Sequence, residues 1–96
     1  MGAKAVTPPR RFGTWLARAD NTIYQAATDG FVLARCNDLG DVIEGYTDGA
    51  NPPTTLRPKA GRGGNTQWET FTMPVRKNDY WKTVNADNIW WIPLEP

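Results

Sequence analysis

Residues 71–93 read FTMPVRKNDYWKTVNADNIWWIP, and this stretch decides the fold of the 96-residue chain. It holds three of the five Trp residues and ends in the densest apolar run, IWWI at residues 89–92. Two polar segments interrupt it, RKND at residues 76–79 and NADN at residues 85–88. Asn and Asp favour turns because their short side chains bond the local backbone and tolerate positive φ. The pattern therefore predicts β-strands connected by two turns.

Strand signals continue upstream of this stretch. Residues 31–36, FVLARC, are apolar on one alternating face and largely apolar on the other, which predicts a central strand covered on both sides. Asp29-Gly30, just before it, predicts a type I′ hairpin turn, which needs two residues at positive φ. Gly45 inside a predicted strand at residues 41–47 indicates a bulge or a close backbone approach. No 3.6-residue period persists over three turns, so we predict an all-β, antiparallel β-sandwich with essentially no α-helix.

The length of the chain indicates one domain, because 96 residues leave no room for a second core. Residues 1–12 have few apolar side chains and contain two consecutive prolines, so we expect an extended N-terminal arm followed by a single β-sandwich domain at residues 13–96. The prolines in residues 51–65 exclude a central strand there and leave room for a short edge strand at residues 54–57. Residues 57–65 are predicted to form a basic loop.

Composition argues against several functions. A net charge of +1 gives no general reason to expect nucleic acid as a partner. The chain has no His and one Cys, so Cys36 lacks both a disulfide partner and the usual base, and we predict a buried structural thiol. Most Asp residues fall in predicted turns, and the sequence DGAN at residues 48–51 does not match a calcium loop. We therefore predict no enzyme activity, no cofactor and no metal site.

The aromatic residues are the remaining candidates for a site. A sugar-binding site often places a flat Trp or Tyr ring beside Asp, Asn or Arg side chains. The competing interpretation is that the aromatic residues of this chain fill a core or a subunit contact. Trp90 and Trp91 are adjacent, so on a strand they point to opposite faces, and only one of them is needed in the core. The candidate ligand-binding residues are Tyr46, Asp48, Asn51, Trp68 and Trp81. The candidate oligomer-interface residues are Phe31, Leu33, Tyr80, Trp90 and Trp91.

Several short segments of the chain resemble those of a known family. They are TIYQA (22–26), DGFV (29–32), GYTDG (45–49), NPPTT (51–55), TMPVRK (72–77), DYWK (79–82) and IWWIPL (89–94). Over about residues 15–94 the chain resembles the small carboxy-terminal modules of tailed-phage and prophage tail fibres and related virion proteins. The most specific parts are the MPVRK…DYW block and the WIP ending.

The resemblance implies a compact jelly roll that is often a homotrimer and that acts in receptor attachment or particle structure. Its implied partners are identical copies, other virion proteins and a host surface glycan. The charge of the chain and its lack of a run of about 18 apolar residues predict no nucleic-acid partner and no membrane insertion. The implied location is the virion, after synthesis in the host cytoplasm. Asn78 stands where the family pattern has Gly, and Asn tolerates the left-handed region next best, so we expect the turn to survive at a cost below about 1 kcal/mol.

Three functions from different classes remain open at this point. The first is a non-enzymatic structural or attachment protein of a phage or prophage particle, either a tail-fibre tip or a capsid decoration module. The second is a stand-alone carbohydrate-binding module that uses exposed Trp or Tyr. The third is an inhibitor or adaptor that places the basic loop at residues 57–64 on a partner.

Overall fold

The computed structural model describes residues 11–37, 42–61 and 69–95, which form strands and no helix. The strands are β1 (Arg11–Phe12), β2 (Leu16–Arg18), β3 (Tyr24–Gln25), β4 (Gly30–Cys36), β5 (Ile43–Asp48), β6 (Leu56–Ala60), β7 (Glu69–Val75), β8 (Tyr80–Val84) and β9 (Asn88–Glu95). The predicted all-β class and the predicted lack of helix are confirmed for these residues. Within them the structure has no helix with the length and hydrophobicity that a bilayer crossing needs.

The strands form two antiparallel sheets that pack face to face. The first sheet has the order β2-β9-β4-β7, and β1 pairs with the far end of β9. The second sheet has the order β3-β8-β5-β6. From β2 onward the chain crosses between the sheets at almost every connection, and only β5 and β6 are sequential neighbours within one sheet. The antiparallel two-sheet prediction is therefore confirmed.

Strand β4 lies at the centre of the first sheet, between β9 and β7, as its apolar sequence predicted. Its inward face is fully buried at Val32, Ala34 and Cys36, and the buried position of the Cys36 thiol was also predicted. Its outward face carries three half-buried side chains: Phe31, Leu33 and Arg35. Coverage on this second side is thus only partial within one chain.

Aromatic stacking joins the two sheets through the core. Trp81 of β8 stacks on Trp91 of β9 with ring centroids 5.9 Å apart and an angle of 20° between the planes. The Tyr24 ring also stacks on Trp81, and the centroids of these two rings are 4.8 Å apart. Stacked pairs of this kind contribute about 0.5–1.5 kcal/mol beyond the area they bury. The remaining core side chains are Ala26, Val32, Ala34, Cys36, Ile43, Phe71, Met73, Val75, Ala86 and Ile89.

The two turns of the stretch at residues 71–93 have the predicted local geometry. Asn78 has a φ of 75° and Asn85 a φ of 66°, so each of these turns uses Asn in the left-handed region. The turn before β8 does not close a hairpin within one sheet, because β7 pairs with β4 whereas β8 pairs with β3 and β5. Both turns instead carry the chain from one sheet to the other.

The predicted hairpin turn at Asp29-Gly30 is wrong. Gly30 is the first residue of β4, opposite Val75 and Pro93, and β3 belongs to the other sheet. The reason for glycine here is space rather than a positive φ. A Cβ atom at this position would lie 2.5 Å from both the Ile92 carbonyl oxygen and Cη2 of the Trp91 ring.

Strand bounds and register bear on three other predictions. Gly45 sits at a register shift between β5 and β6, and an added Cβ would lie 2.9 Å from the Phe71 ring, so the predicted bulge and close approach are both present. The edge strand expected at residues 54–57 occurs as β6, two residues later, and includes Pro58 of the predicted loop. The sheet begins at β1, two residues before the predicted domain start at residue 13.

Replacing Gly30 with Ala is expected to destabilise the fold by about 1–3 kcal/mol, because the new methyl group would overlap the β9 backbone and the Trp91 ring. Urea unfolding followed by Trp fluorescence measures the change. Gly49→Ala is the matched control, since its Cβ would have only Asp79 Oδ1 near it, at 3.7 Å, and it should change stability by less than about 0.5 kcal/mol. Equal effects of the two substitutions would contradict the role assigned to Gly30.

Candidate functional site

The outer face of the first sheet carries a continuous group of apolar side chains. We call it the apolar face and define it by Phe12, Trp15, Phe31, Leu33, Trp90 and Ile92. Most of these residues line a shallow open pocket of about 270 Å³, together with Thr72. Phe12 is 69% exposed and Trp15 is 55% exposed, although both are large aromatic residues. A contiguous apolar surface of this kind commonly marks an interaction site.

Strand register explains how these side chains meet. Phe31 is paired with Ile92, and Leu33 with Trp90, so four residues of β4 and β9 point out of the same side of the sheet. The aromatic residues near the start of the described chain extend this surface. The Phe12 ring lies 6.0 Å from that of Phe31, and the Trp15 ring meets that of Trp90 edge-on at 6.4 Å.

A polar group borders the apolar face at the start of β9. The Arg35 guanidinium lies 5.5 Å from the centre of the Trp90 ring, close enough for a cation–π contact. The same guanidinium donates a hydrogen bond from Nη2 to Oδ1 of Asn88 at 3.2 Å. The apolar face therefore has a charged, hydrogen-bonded border on this side, and polar residues are common at the rim of protein interfaces.

The structure brings together three of the five predicted interface residues. Phe31, Leu33 and Trp90 share the apolar face. Trp91 needs correction, because it is 7% exposed and packs in the core against Trp81. Tyr80 does not share the apolar face, because it belongs to β8 in the opposite sheet.

Sequence reasoning missed three members of the apolar face. Phe12 and Trp15 precede the strands that were recognised, and Phe12 was assigned to the arm. The missed signal was the spacing of these two residues, two large aromatics close together just after a polar segment. Ile92 could have been found from its position, because on one strand it must share a face with Trp90.

The structure corrects one of the predicted ligand-binding aromatics and places another. Trp81 is 1% exposed and fills the core, so it cannot offer a ring face to a ligand. Tyr46 lies on the outer face of the second sheet, where the Lys82 ammonium sits 5.2 Å from its ring centre. The Tyr46 hydroxyl donates to Oε1 of Glu44 at 2.9 Å, and this bond is the main reason that the pKa of Tyr46 is raised. Trp68 lies outside the described residues.

Asp48 holds the loop that follows β5 in place through hydrogen bonds. Its Oδ2 accepts hydrogen bonds from the Thr55 hydroxyl at 2.8 Å and from the backbone N–H groups of Thr55 and Thr54 at 2.9 and 3.0 Å, with a longer contact to the Thr54 hydroxyl. Its Oδ1 accepts from the N–H of Ala50 at 2.8 Å. These bonds, that of the Thr55 hydroxyl first, hold the pKa of Asp48 well below its ordinary value of 3.8. The exposed Asn51 belongs to the same loop, and the hydrogen bonds of Asp48 give it a structural role there.

A larger open cleft of about 790 Å³ lies between the sheets where β6 approaches β7. The buried residues Met73 and Val75 line it from the β7 side, and the β6 residues Arg57 and Pro58 line it opposite. Its charged lining residues are Asp29, Asp48, Arg57, Arg76 and Asp79. We call this space the edge cleft. Of the predicted ligand residues that the structure describes, only Asp48 lines it.

The described residues contain no group of three or more Cys, Asp or Glu side chains placed to hold a metal ion. No protein-family model, curated protein or solved structure matches the chain.

Replacing Asp48 with Asn is expected to lower the urea midpoint of unfolding at neutral pH, because several hydrogen bonds to the carboxylate are lost. The folded pKa of Asp48 is depressed, so its contribution is complete above the ordinary value of 3.8 and is lost as the pH falls through the lower folded value. The difference in urea midpoint between wild type and Asp48→Asn should therefore narrow as the pH falls below 3.8.

Asp79→Asn is the control for this comparison, because no hydrogen bond to the Asp79 carboxylate is made in the described part of the chain. It should leave the neutral-pH midpoint within experimental error of wild type. A gap for Asp48→Asn that stays constant from pH 7 down to strongly acid conditions would contradict the ionised role of Asp48.

Proposed function

We propose that this chain is a non-enzymatic structural or attachment module of a phage or prophage particle, built as a jelly roll that assembles into a homotrimer. The observation that carries the proposal is the apolar face, which one chain leaves uncovered. The resemblance to the small carboxy-terminal modules of tail fibres and related virion proteins is in accord with it. In a particle the module serves at a fibre tip or as a capsid decoration, in contact with other virion proteins.

The strand order supports the jelly-roll assignment. A jelly roll has eight main strands in two four-stranded antiparallel sheets, and successive strands cross between them. Here β2 to β9 supply eight strands, in the orders β2-β9-β4-β7 and β3-β8-β5-β6. The short β1 extends the first sheet along β9. This arrangement needs the chain to cross repeatedly between sheets, which the turns at Asn78 and Asn85 allow.

The composition of the apolar face supports a second copy of this chain as its occupant. The cores of interfaces, and of homodimer interfaces most of all, are depleted in charge and rich in aromatic residues. Four of the six residues that define the apolar face are aromatic, and none is charged. The net charge of +1 means that identical copies repel one another little. A closed symmetric assembly would cover the face on every copy.

The hydrogen bonds that the Asp carboxylates accept support a non-enzymatic role. Asp20 accepts hydrogen bonds from the Thr83 hydroxyl at 2.7 Å and from the N–H groups of Asn85 and Ala86 at 3.0 and 3.2 Å. Asp87 accepts from the N–H of Asn37 at 2.6 Å, and Asp48 holds its own loop. These side chains fix turns, as Asp commonly does.

The alternative of a carbohydrate-binding module with exposed Trp or Tyr gains no support from the described aromatics. Trp81 and Trp91 are in the core, Tyr46 is covered by Lys82, and Trp90 borders Trp15 and Arg35. Among the residues that the structure describes, the most exposed aromatic rings are those of Phe12 and Trp15, and both belong to the apolar face.

Replacing Leu33 with Lys should break the assembly, because a charged group would be buried without a partner at the centre of the apolar face. We expect wild type to sediment at three times 10.7 kDa at micromolar concentration. The Leu33→Lys variant should assemble only at concentrations about tenfold or more above those that wild type needs. The reason is that burying an unpaired charge costs well over about 1.4 kcal/mol. Analytical ultracentrifugation over a concentration series measures both.

The matched control is Val84→Lys, which adds the same charge at a half-buried aliphatic position on the outer face of the second sheet. It should assemble as wild type does. Far-ultraviolet circular dichroism checks that both variants keep the fold. A wild-type protein that sediments at 10.7 kDa across the micromolar range would refute the proposed assembly.

A further inference from the structure

The exposed apolar surface of this chain continues beyond the apolar face. Among the described residues, five large apolar side chains are exposed, and four of them fall within residues 12–23: Phe12, Trp15, Leu16 and Ile23. Leu16 and Ile23 are not part of the apolar face. They lie in β2 and just before β3, the outermost strands of the two sheets on one side of the sandwich. The apolar surface therefore turns from the face of the first sheet onto this edge.

The strands β2 and β3 bring four side chains together at this edge. We call it the β2–β3 edge and define it by Leu16, Arg18, Ile23 and Tyr24. Leu16 is paired with Trp91, so it points toward the opening between the sheets, where it is left 37% exposed. The Arg18 guanidinium lies 5.4 Å from the centre of the Tyr24 ring, and the Tyr24 hydroxyl accepts a hydrogen bond from the N–H of Ala19 at 2.9 Å.

The turn that carries Ile23 is anchored to the second sheet. The Asp20 carboxylate accepts the hydrogen bonds described above from Thr83 and the turn after it. The N–H of Asn21 donates to the Thr83 carbonyl at 2.9 Å. Ile23 is thus exposed on a segment that is already ordered. A partner that covers Ile23 would meet a fixed surface, which lowers the ordering cost of binding.

The opposite edge of the sandwich has a different composition. There β6 contains Pro58 and Lys59, and β7 contains Pro74. Proline and lysine at sheet edges are common means of preventing contact with other chains. By contrast, β2 and β3 contain neither residue, and with three and two residues they offer little backbone for pairing with another strand. A partner would therefore contact the β2–β3 edge through its side chains.

The apolar face is too small to form both contacts of a ring. A closed ring of three copies is heterologous, so each copy contacts its two neighbours through two different patches. At about 800 Å² per patch, of which somewhat more than half is apolar, each copy would bury about 900 Å² of apolar surface. Two exposed rings and four half-buried side chains give the apolar face on the order of 500 Å². The β2–β3 edge is the adjoining surface that can supply the second patch.

We propose that the β2–β3 edge of each copy packs against the apolar face of the next copy. The partner of this edge is thus a second copy of the chain, and the ring closes because every copy offers one face and one edge. A symmetric face-to-face pair would instead leave Leu16 and Ile23 in contact with water. This inference rests on the homotrimer of the proposed function, and it adds which two surfaces meet.

Ile23→Lys tests the edge, and Leu56→Lys is its matched control. Ile23 is 42% exposed and Leu56 is 41% exposed, but Leu56 lies in β6 at the opposite edge. We expect Ile23→Lys to assemble only at concentrations about tenfold or more above those that wild type needs, because the new charge would be buried against the apolar face. Leu56→Lys should assemble as wild type does. Sedimentation measures the mass, and far-ultraviolet circular dichroism checks that both variants keep the fold.

A mixture of two variants tests which surfaces meet. Leu33→Lys damages the apolar face and leaves the β2–β3 edge intact, whereas Ile23→Lys does the reverse. If face and edge contact each other, the mixed variants should form a complex at twice 10.7 kDa, at concentrations where each variant alone sediments at 10.7 kDa. Contacts between two apolar faces would give no such complex.

The outcomes separate this inference from the proposed assembly. Three results obtained with a trimeric wild type would overturn the edge-on-face contact alone: an Ile23→Lys variant that assembles as wild type does, equal effects of Ile23→Lys and Leu56→Lys, or a mixture that forms no complex. A wild-type protein that stays monomeric across the micromolar range would overturn the assembly and, with it, this inference.

Discussion

The fold depends on one stacked pair of tryptophans that joins the two sheets. Trp81 comes from β8 and Trp91 from β9, so the pair bridges the sandwich at its centre. Several other features are set by this contact. Gly30 must lack a side chain because the Trp91 ring occupies the space beside it. Trp90 must point outward because its neighbour points inward. The apolar face thus exists on the outside because the core is filled on the inside.

Local features of the fold could be predicted from the sequence because they depend on neighbouring residues. The positive φ of Asn78, the bulge at Gly45 and the central position of β4 all follow from residue type and alternation within a few positions. The burial of Trp81 could also have been predicted. Lys82 must face solvent, so the residues before and after it, Trp81 and Thr83, face the core.

Long-range features could not be predicted in the same way. The sequence Asp29-Gly30 has the form of a hairpin turn, but its Gly is required by a ring some sixty positions later in the chain. Alternation shows which side chains share a face, but it does not show which strands become neighbours. The edge cleft was missed for this reason. Arg57 and Arg76 belong to β6 and to the turn after β7, which lie in different sheets and meet only through the topology.

The pairing of β1 with β9 has a mechanical consequence. Arg11 lies opposite Glu95, so the polypeptide enters and leaves the described fold at one corner. If both ends were attached and pulled apart, the strands would separate from that corner and their hydrogen bonds would break one after another. Strands loaded from opposite ends would instead share the force among all their bonds. If the chain is attached at one end only, β1 and β9 are not pulled apart from each other. The force is then carried by the contacts of the sandwich as a whole.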